Sequence, residues 1–543
     1  GSTFFLDRWN AAEAPFLYAP ACLGGVNPCS GNNRRAMDPR TGELLGVGSA
    51  ALIGQLVPNS GNTINGIVPQ GQGISKYGYT WPGLLLAPRF GAAFDVSGTQ
   101  RLVLRGGVGL FHDRPAGDTA YNQVTNPPFN TSRTVRFGQL QNLSSSQATQ
   151  GPSALAAIWP YESDVPASVQ WNAGVQATLP WASVVDVSYV GQRGYNRLAE
   201  IRGQVQVDIN APDIGAAFLP QNQDPTLAPS ATPGATAFTT DFLRPYRGFA
   251  SIGMNLPDFG ETFHSIQTGW NRRFRDGFAF SGSYTLTLSH TGNIQPLGST
   301  LPPLRLQHNS DGTYSVRADQ REYEKLNENM GTPRHILRLT GVWDLPDVSA
   351  SSAGMRVLGA VVNDWQLSGV FTGGSGGFYD INYQYQGGIS SVNLTGSPSY
   401  PARIVISGDP GKGCTDNQYQ QLNVGVFSGP VPGSVGLESG RNEMIGCPDR
   451  TLDLAIARNV RLGSSRTVQL RVDLFNALNT VIYNGRVTTV QLNSPTDQTV
   501  RNSQYLPDGT LDPNRLLPRN AGFGAVTSAQ AMRSVQAQIR FLF

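Results

Sequence analysis

The sequence is short of charge, of cysteine and of long apolar runs. Only 14% of its 543 residues are Asp, Glu, Lys or Arg, against roughly 25% in soluble domains. No stretch of about 18 apolar residues occurs, which excludes a membrane-spanning helix. It excludes nothing about strands, which show lipid only every second residue. The five histidines, His112, His264, His290, His308 and His335, form no H-x-x-x-H or H-E-x-x-H pair. No two cysteines have C-x-x-C zinc spacing. No Ser/His/Asp order suggests a triad. The glycine run 373–377 lacks the Lys-Ser/Thr of a phosphate loop. Residues 508–514 miss the calcium-loop spacing and read as a turn. No enzyme activity, metal or cofactor is expected. The net charge is +3 and no basic run is interleaved with aromatics, so nucleic acid is not an expected partner.

What is abundant is glycine, at 63 residues, and proline, at 37. That is turn and loop chemistry on a β framework. The final segment puts Val535, Ala537, Ile539, Phe541 and Phe543 on one face of a strand and Gln536, Gln538 and Arg540 on the other. Lipid on one side and water on the other is the setting of a transmembrane β-barrel. An ordinary half-buried strand of a soluble sandwich has the same alternation. The same period of two recurs over 84–96, 101–112, 168–179, 185–189, 263–274, 278–290, 335–345, 364–373, 452–460 and 467–475. With residues 1–8 as the first strand, about twelve strands are expected. The connections sort into tight turns, at 97–100, 180–181, 275–277 and 463–465, and long loops. Outer-membrane barrels sort them so, with short periplasmic turns and long extracellular loops. Trp171, Trp181, Trp343 and Trp365 fall near expected strand ends, where an aromatic girdle sits.

Charge marks the other face. Arg105, Asp186, Arg338, Asp453, Arg471 and Asp473 alternate with the apolar residues, and an Arg in mid-bilayer costs about 2–4 kcal/mol. These six are expected to face a wet lumen. Cys22 with Cys29, and Cys414 with Cys447, form two local pairs in Gly/Pro-rich loops. They are expected as two disulfides in an oxidising compartment, free thiols being the alternative. The chain opens on a strand-like segment rather than a secretory leader, so an address is expected upstream or removed.

Several runs carry a resemblance. They are Ala87-Pro88-Arg89-Phe90-Gly91, the stretch Leu104 to Arg114, Asn271-Arg272-Arg273-Phe274 and Gly282-Ser283-Tyr284-Thr285. Phe218 to Pro225, Phe242 to Tyr246, Asn363 to Gly369 and Val472 to Asn479 follow the same family. In this order they resemble the barrel of TonB-dependent receptors, in the carboxypeptidase-regulatory-like branch common in acidobacteria. The resemblance implies a 22-stranded barrel in the bacterial outer membrane, of which this chain is the carboxy-terminal part. It also implies a plug and an energy-coupling box, neither of which is among these residues, and a TonB-type coupling protein as partner. Phe541 and Phe543 are then the barrel-insertion terminus.

The expected function is binding of an extracellular ligand, then energised uptake. Ligand contacts are expected in loops 9–83, 114–164, 196–261, 291–333, 375–450 and 481–529. Two rivals stay open: a structural or adhesive barrel assembling with neighbouring outer-membrane proteins, and a passive twelve-stranded pore. The pore requires residues 1–8 to pair with 530–543; the receptor fragment requires that they do not.

Overall fold

The computed structural model describes residues 1–80, 82–113, 121–131, 134–135, 148–162, 164–198, 207–255, 257–294, 305–308, 314–317, 328–349, 352–411, 413–436, 438–440, 442–462 and 466–543. Its main element is one antiparallel sheet with eleven strands in sequence order. They are β1 (Arg89–Asp95), β2 (Leu102–His112), β3 (Ala167–Leu179) and β4 (Ser183–Leu198). Then come β5 (Pro257–Arg275), β6 (Phe278–Ile294), β7 (His335–Asp344) and β8 (Trp365–Gly374). β9 (Asp449–Arg461), β10 (Thr467–Phe475) and β11 (Ser534–Leu542) complete the path.

Tight turns join β1 to β2, β3 to β4 and β5 to β6 at one end. Between β5 and β6 the turn is Asp276-Gly277, with φ of 54° and 75°, the left-handed pair whose twist suits a hairpin. The expected turn at 463–465 lies outside the described residues. The β7–β8 connection at this end is longer and holds a ten-residue helix, α1 (Ala353–Val362). The long loops all leave from the opposite end.

Register confirms the two faces. Phe278 of β6 pairs with Trp343, Trp343 with Leu367, and Leu367 with Ile456. Ile456 pairs with Val472, and Val472 with Ala537. This row is apolar and, among the described residues, has no protein layer over it: Trp343, Ile456 and Val472 are all exposed, as are Val535, Ile539 and Phe541 of β11. Trp181, in the β3–β4 turn, is 75% exposed. With Trp270, Trp343 and Trp365 it forms an aromatic rim at the short-turn end. Trp171 is away from that rim. It lies across Gly191, its partner on β4, where any Cβ would collide with the indole, and its ring is 5.9 Å from that of His264.

One expectation is overturned. Residues 1–8 are not a barrel strand: Ser2–Phe4 pairs with Ile67–Pro69 in a separate two-stranded sheet. Thr3 and Phe4 are both buried, so this segment does not alternate between two environments. Phe4 packs edge-on against Phe249 and Tyr246. Among the described residues the path therefore has eleven strands, none of them at 1–8, with the short segment Glu328–Asn329 paired to β6 beside it. Several strands also run further than their periodicity suggested. β4, β5 and β6 have 16, 19 and 17 residues, where crossing a bilayer takes about 9–11. Their far ends continue past irregularities at Gly194/Arg197 and His264/Ser265, where an extra residue puts the alternation out of step.

The face assignment is testable within two neighbouring residues. Leu339→Arg, on the apolar face, should destabilise the protein by about 2–4 kcal/mol. Thr340→Arg, on the other face, should cost less than about 1 kcal/mol. Denaturant unfolding in lipid bilayers measures both; equal costs would contradict the assignment.

Candidate functional site: the polar face and the outer loops

All six charged residues singled out in the sequence lie on the face opposite the apolar one. Arg105 pairs with Gly174, and Asp186 with Gln176. Arg338 sits between Ser283 and Thr372. Asp453 pairs with Val370, and Asp473 with Ala455. One hydrogen-bonded row on this face runs Asn271, Ser281, Thr340, Val370, Asp453. It starts just before the β5–β6 turn and finishes beside the long loops, because the strands are staggered. A hollow of about 530 Å³ follows it, lined also by Arg273, Arg471 and Asp473. Arg471 donates to Asp473 at 2.8 Å, and Asp453 accepts the Asn476 amide at 2.8 Å. Three of the six thus share the hollow; Arg105, Asp186 and Arg338 lie elsewhere on the face.

Where β4, β5 and β6 outrun the bilayer, a cluster unforeseen from the sequence forms. Glu261 is 9% exposed and takes an ion pair from Arg197. Its other oxygen is 2.5 Å from His290 Nε2, and His290 Nδ1 is 2.5 Å from the Thr332 hydroxyl. Only the third dimension joins residues so far apart in sequence.

The long loops are folded, not draped. In one cap, Phe4 and Ile67 pack with Leu155, Ile158, Phe249, Ile252 and Met254. The Asn210 amide group donates to the carbonyls of Tyr246, Phe249 and Ala250 at 3.1, 3.1 and 2.7 Å. Arg34 reaches buried Asp224 at 2.6 Å and Thr226 at 2.9 Å. The second cap packs Ile381, Leu394, Met444, Val490, Leu492 and Phe523. The caps touch: Ser397 Oγ donates to the Pro212 carbonyl at 2.6 Å, and the Gly215 amide to the Thr395 carbonyl at 2.7 Å.

Both disulfides form as expected, Cys22 with Cys29 in the first cap and Cys414 with Cys447 in the second. Hollows of about 370 and 490 Å³ open in the second cap, the first beside Asp380, Tyr383, Arg403 and Glu443, the other beside Tyr385, Gln491 and Arg501. Burial, then Glu438 and Tyr385, push the Tyr383 phenol up. Burial likewise raises Tyr385, against a hydrogen bond from Gln498. Both remain protonated donors at neutral pH. The turn reading of 508–514 holds: Asp508 accepts from Thr510 and Asp512 from Asn514. Of the expected ligand loops, much of 114–164 and 291–333, and residues 199–206, lie outside the described residues.

An apolar exposed face, a charged opposite face, tight turns at one end and packed loops at the other agree with one family model, the outer membrane beta barrel domain, which matches residues 36–536. The chain belongs to that family. This barrel resides in the bacterial outer membrane, its apolar face toward lipid. Similar solved structures include the outer membrane transporter YddB from Escherichia coli, at 8% identity and TM-score 0.35, covering 76% of this chain and 38% of that one. A mutant of the ferric enterobactin receptor PfeA from Pseudomonas aeruginosa, in complex with enterobactin, has 12% identity and TM-score 0.36, covering 84% and 40%. The siderophore receptor PirA from Acinetobacter baumannii has 10% identity and TM-score 0.35, again covering 84% and 40%. The chain spans about 40% of the length of these structures. No curated protein matches it.

The first cap gives a direct prediction. Arg34→Ala leaves the buried Asp224 carboxylate without its partner, a loss of about 3–5 kcal/mol. Hydrogen exchange at residues 19–37 and 224–238 should rise strongly, while exchange in β7 to β10 stays unchanged. Unchanged exchange in both loops would contradict this packing.

Proposed function

We propose that this barrel is the carboxy-terminal part of a TonB-dependent receptor, binding a ligand in its outer loops for energised uptake. The observation that carries the reading is strand parity. β1 enters from a long loop and runs toward the short turns, and so does β11. Joining them would need a parallel pairing, whereas single-chain bacterial barrels close antiparallel with an even number of strands. No ladder joins β1 to β11 among the described residues. Further strands on the two edges complete a wide barrel, and a wide lumen needs a plug.

In that barrel Arg105, Asp186, Arg338, Asp453, Arg471 and Asp473 face the lumen and the plug. Phe541 and Phe543, at the short-turn end of β11, serve barrel insertion. An amino-terminal part outside these residues meets a TonB-type coupling protein. The ligand binds at the hollows of the second cap, where Asn382, Tyr383, Gln384, Tyr385 and Gln491 line the openings.

The test is uptake by cells carrying the intact protein, with a ferric catecholate, an oligosaccharide mixture or a peptide digest as sole source of iron or carbon. Deleting the protein should abolish use of one of these, and a protonophore should do the same. Uptake that persists with the protonophore would favour a passive pore. Unchanged uptake of all three on deletion, with loss of cell–cell or envelope cohesion, would favour the structural barrel.

A further inference from the structure

Helix α1 does not match its surroundings as a solvent-exposed connection. Between Ala353 and Val362 its only polar side chain is Arg356. Ser352 starts it, the hydroxyl accepting the Met355 amide at 3.3 Å. Asn363 ends it, clasping the Val348 amide and carbonyl at 2.8 and 3.0 Å. The packed side centres on Gly359, which is buried and where a Cβ would meet the Val348 carbonyl oxygen at 3.5 Å. Val357 and Val361 lie two residues to either side, and so on the opposite side of the helix. They are 68% and 59% exposed. A short helix on a water-facing surface carries polar residues there.

The position of the helix accounts for the mismatch. The Trp365 indole donates to the Val361 carbonyl at 2.9 Å. The Arg458 guanidinium donates to the carbonyls of Ala360 and Asn363. Trp365 and Arg458 are register partners, and their row continues to Leu470 and Ile539 on the apolar, lipid-facing side of the sheet. The last turn of α1 is therefore fastened to the lipid side of the wall, at the rim where Trp343 is also exposed. A helix of ten residues is about half as long as one that crosses a bilayer. It is too short to cross one.

We infer that α1 is an interfacial anchor, bedded in the headgroup region of the inner leaflet of the outer membrane. Val357 and Val361 enter the acyl boundary, and Arg356 and Arg458 meet lipid phosphates. The occupant of the exposed face is phospholipid, because that face continues the lipid-facing band and Arg356 and Arg458 lie beside it, while Asp364 at the end of the helix is paired with Arg461.

The test uses single thiols in the intact protein; the four cysteines of this chain are all in disulfides. Val357→Cys and Val361→Cys replace exposed side chains, and Thr99→Cys in the β1–β2 turn is the water-facing reference at the same end. In outer membranes, a water-soluble maleimide should react with the two helix positions roughly tenfold more slowly than with position 99. A fluorophore on either helix position should be quenched, after reconstitution, by phosphatidylethanolamine brominated near its carbonyls. Reaction as fast as at position 99 would overturn the inference. So would slow reaction without quenching, which would mean that protein covers the face.

Discussion

Within hydrocarbon, a backbone amide or carbonyl has no water to bond. That constraint organises this molecule. Every strand in the lipid must give its backbone groups to neighbours, so the wall is a continuous antiparallel ladder from β1 to β11. Once the backbone is committed to the ladder, only side chains remain to adapt, and they alternate. Apolar residues take the lipid side. Apart from rim residues such as Arg458, the charged and polar side chains take the other, where they bond to one another, as Ser281 does to Asn271 and Arg471 to Asp473. Outside the bilayer the constraint lifts, and the long loops form small hydrophobic cores of ordinary globular type.

This division explains what could be read from the sequence. The wall was legible because a single period-two rule governs it, and one face of each strand declares itself in residues such as Leu470, Val472 and Leu474. The charged face followed by elimination, since Arg338 cannot share a side with Leu337 and Leu339. The disulfides were legible because each pair is local. The caps were not. Phe4, Leu155 and Phe249 sit in one core but come from segments far apart in sequence, with no repeat to announce them. Residues 1–8 misled for the same reason: an apolar start with strand character looks alike in a barrel wall and in a cap. The outer ends of β4, β5 and β6 were underestimated because bulges interrupt the pattern.

The Glu261–His290–Thr332 cluster and the Arg34–Asp224 pair show what the caps require. Buried carboxylates there are satisfied by arginines from other segments, Arg34 on Asp224 and Arg197 on Glu261, which ties loop conformation to the strands beneath. A loop surface so braced presents its hollows in a fixed shape. In the proposed receptor, a ligand would then bind with little ordering cost.

Because facing is decided by odd or even position, the wall behaves like a reading frame of two. Inserting one residue into β7 would turn every later side chain of that strand to the wrong medium, while inserting two would restore the pattern with a shifted register. The caps obey no such arithmetic. Changes of length that the strands reject can accumulate in the outer loops, so the surface those loops present is free to change while the wall that carries it stays the same.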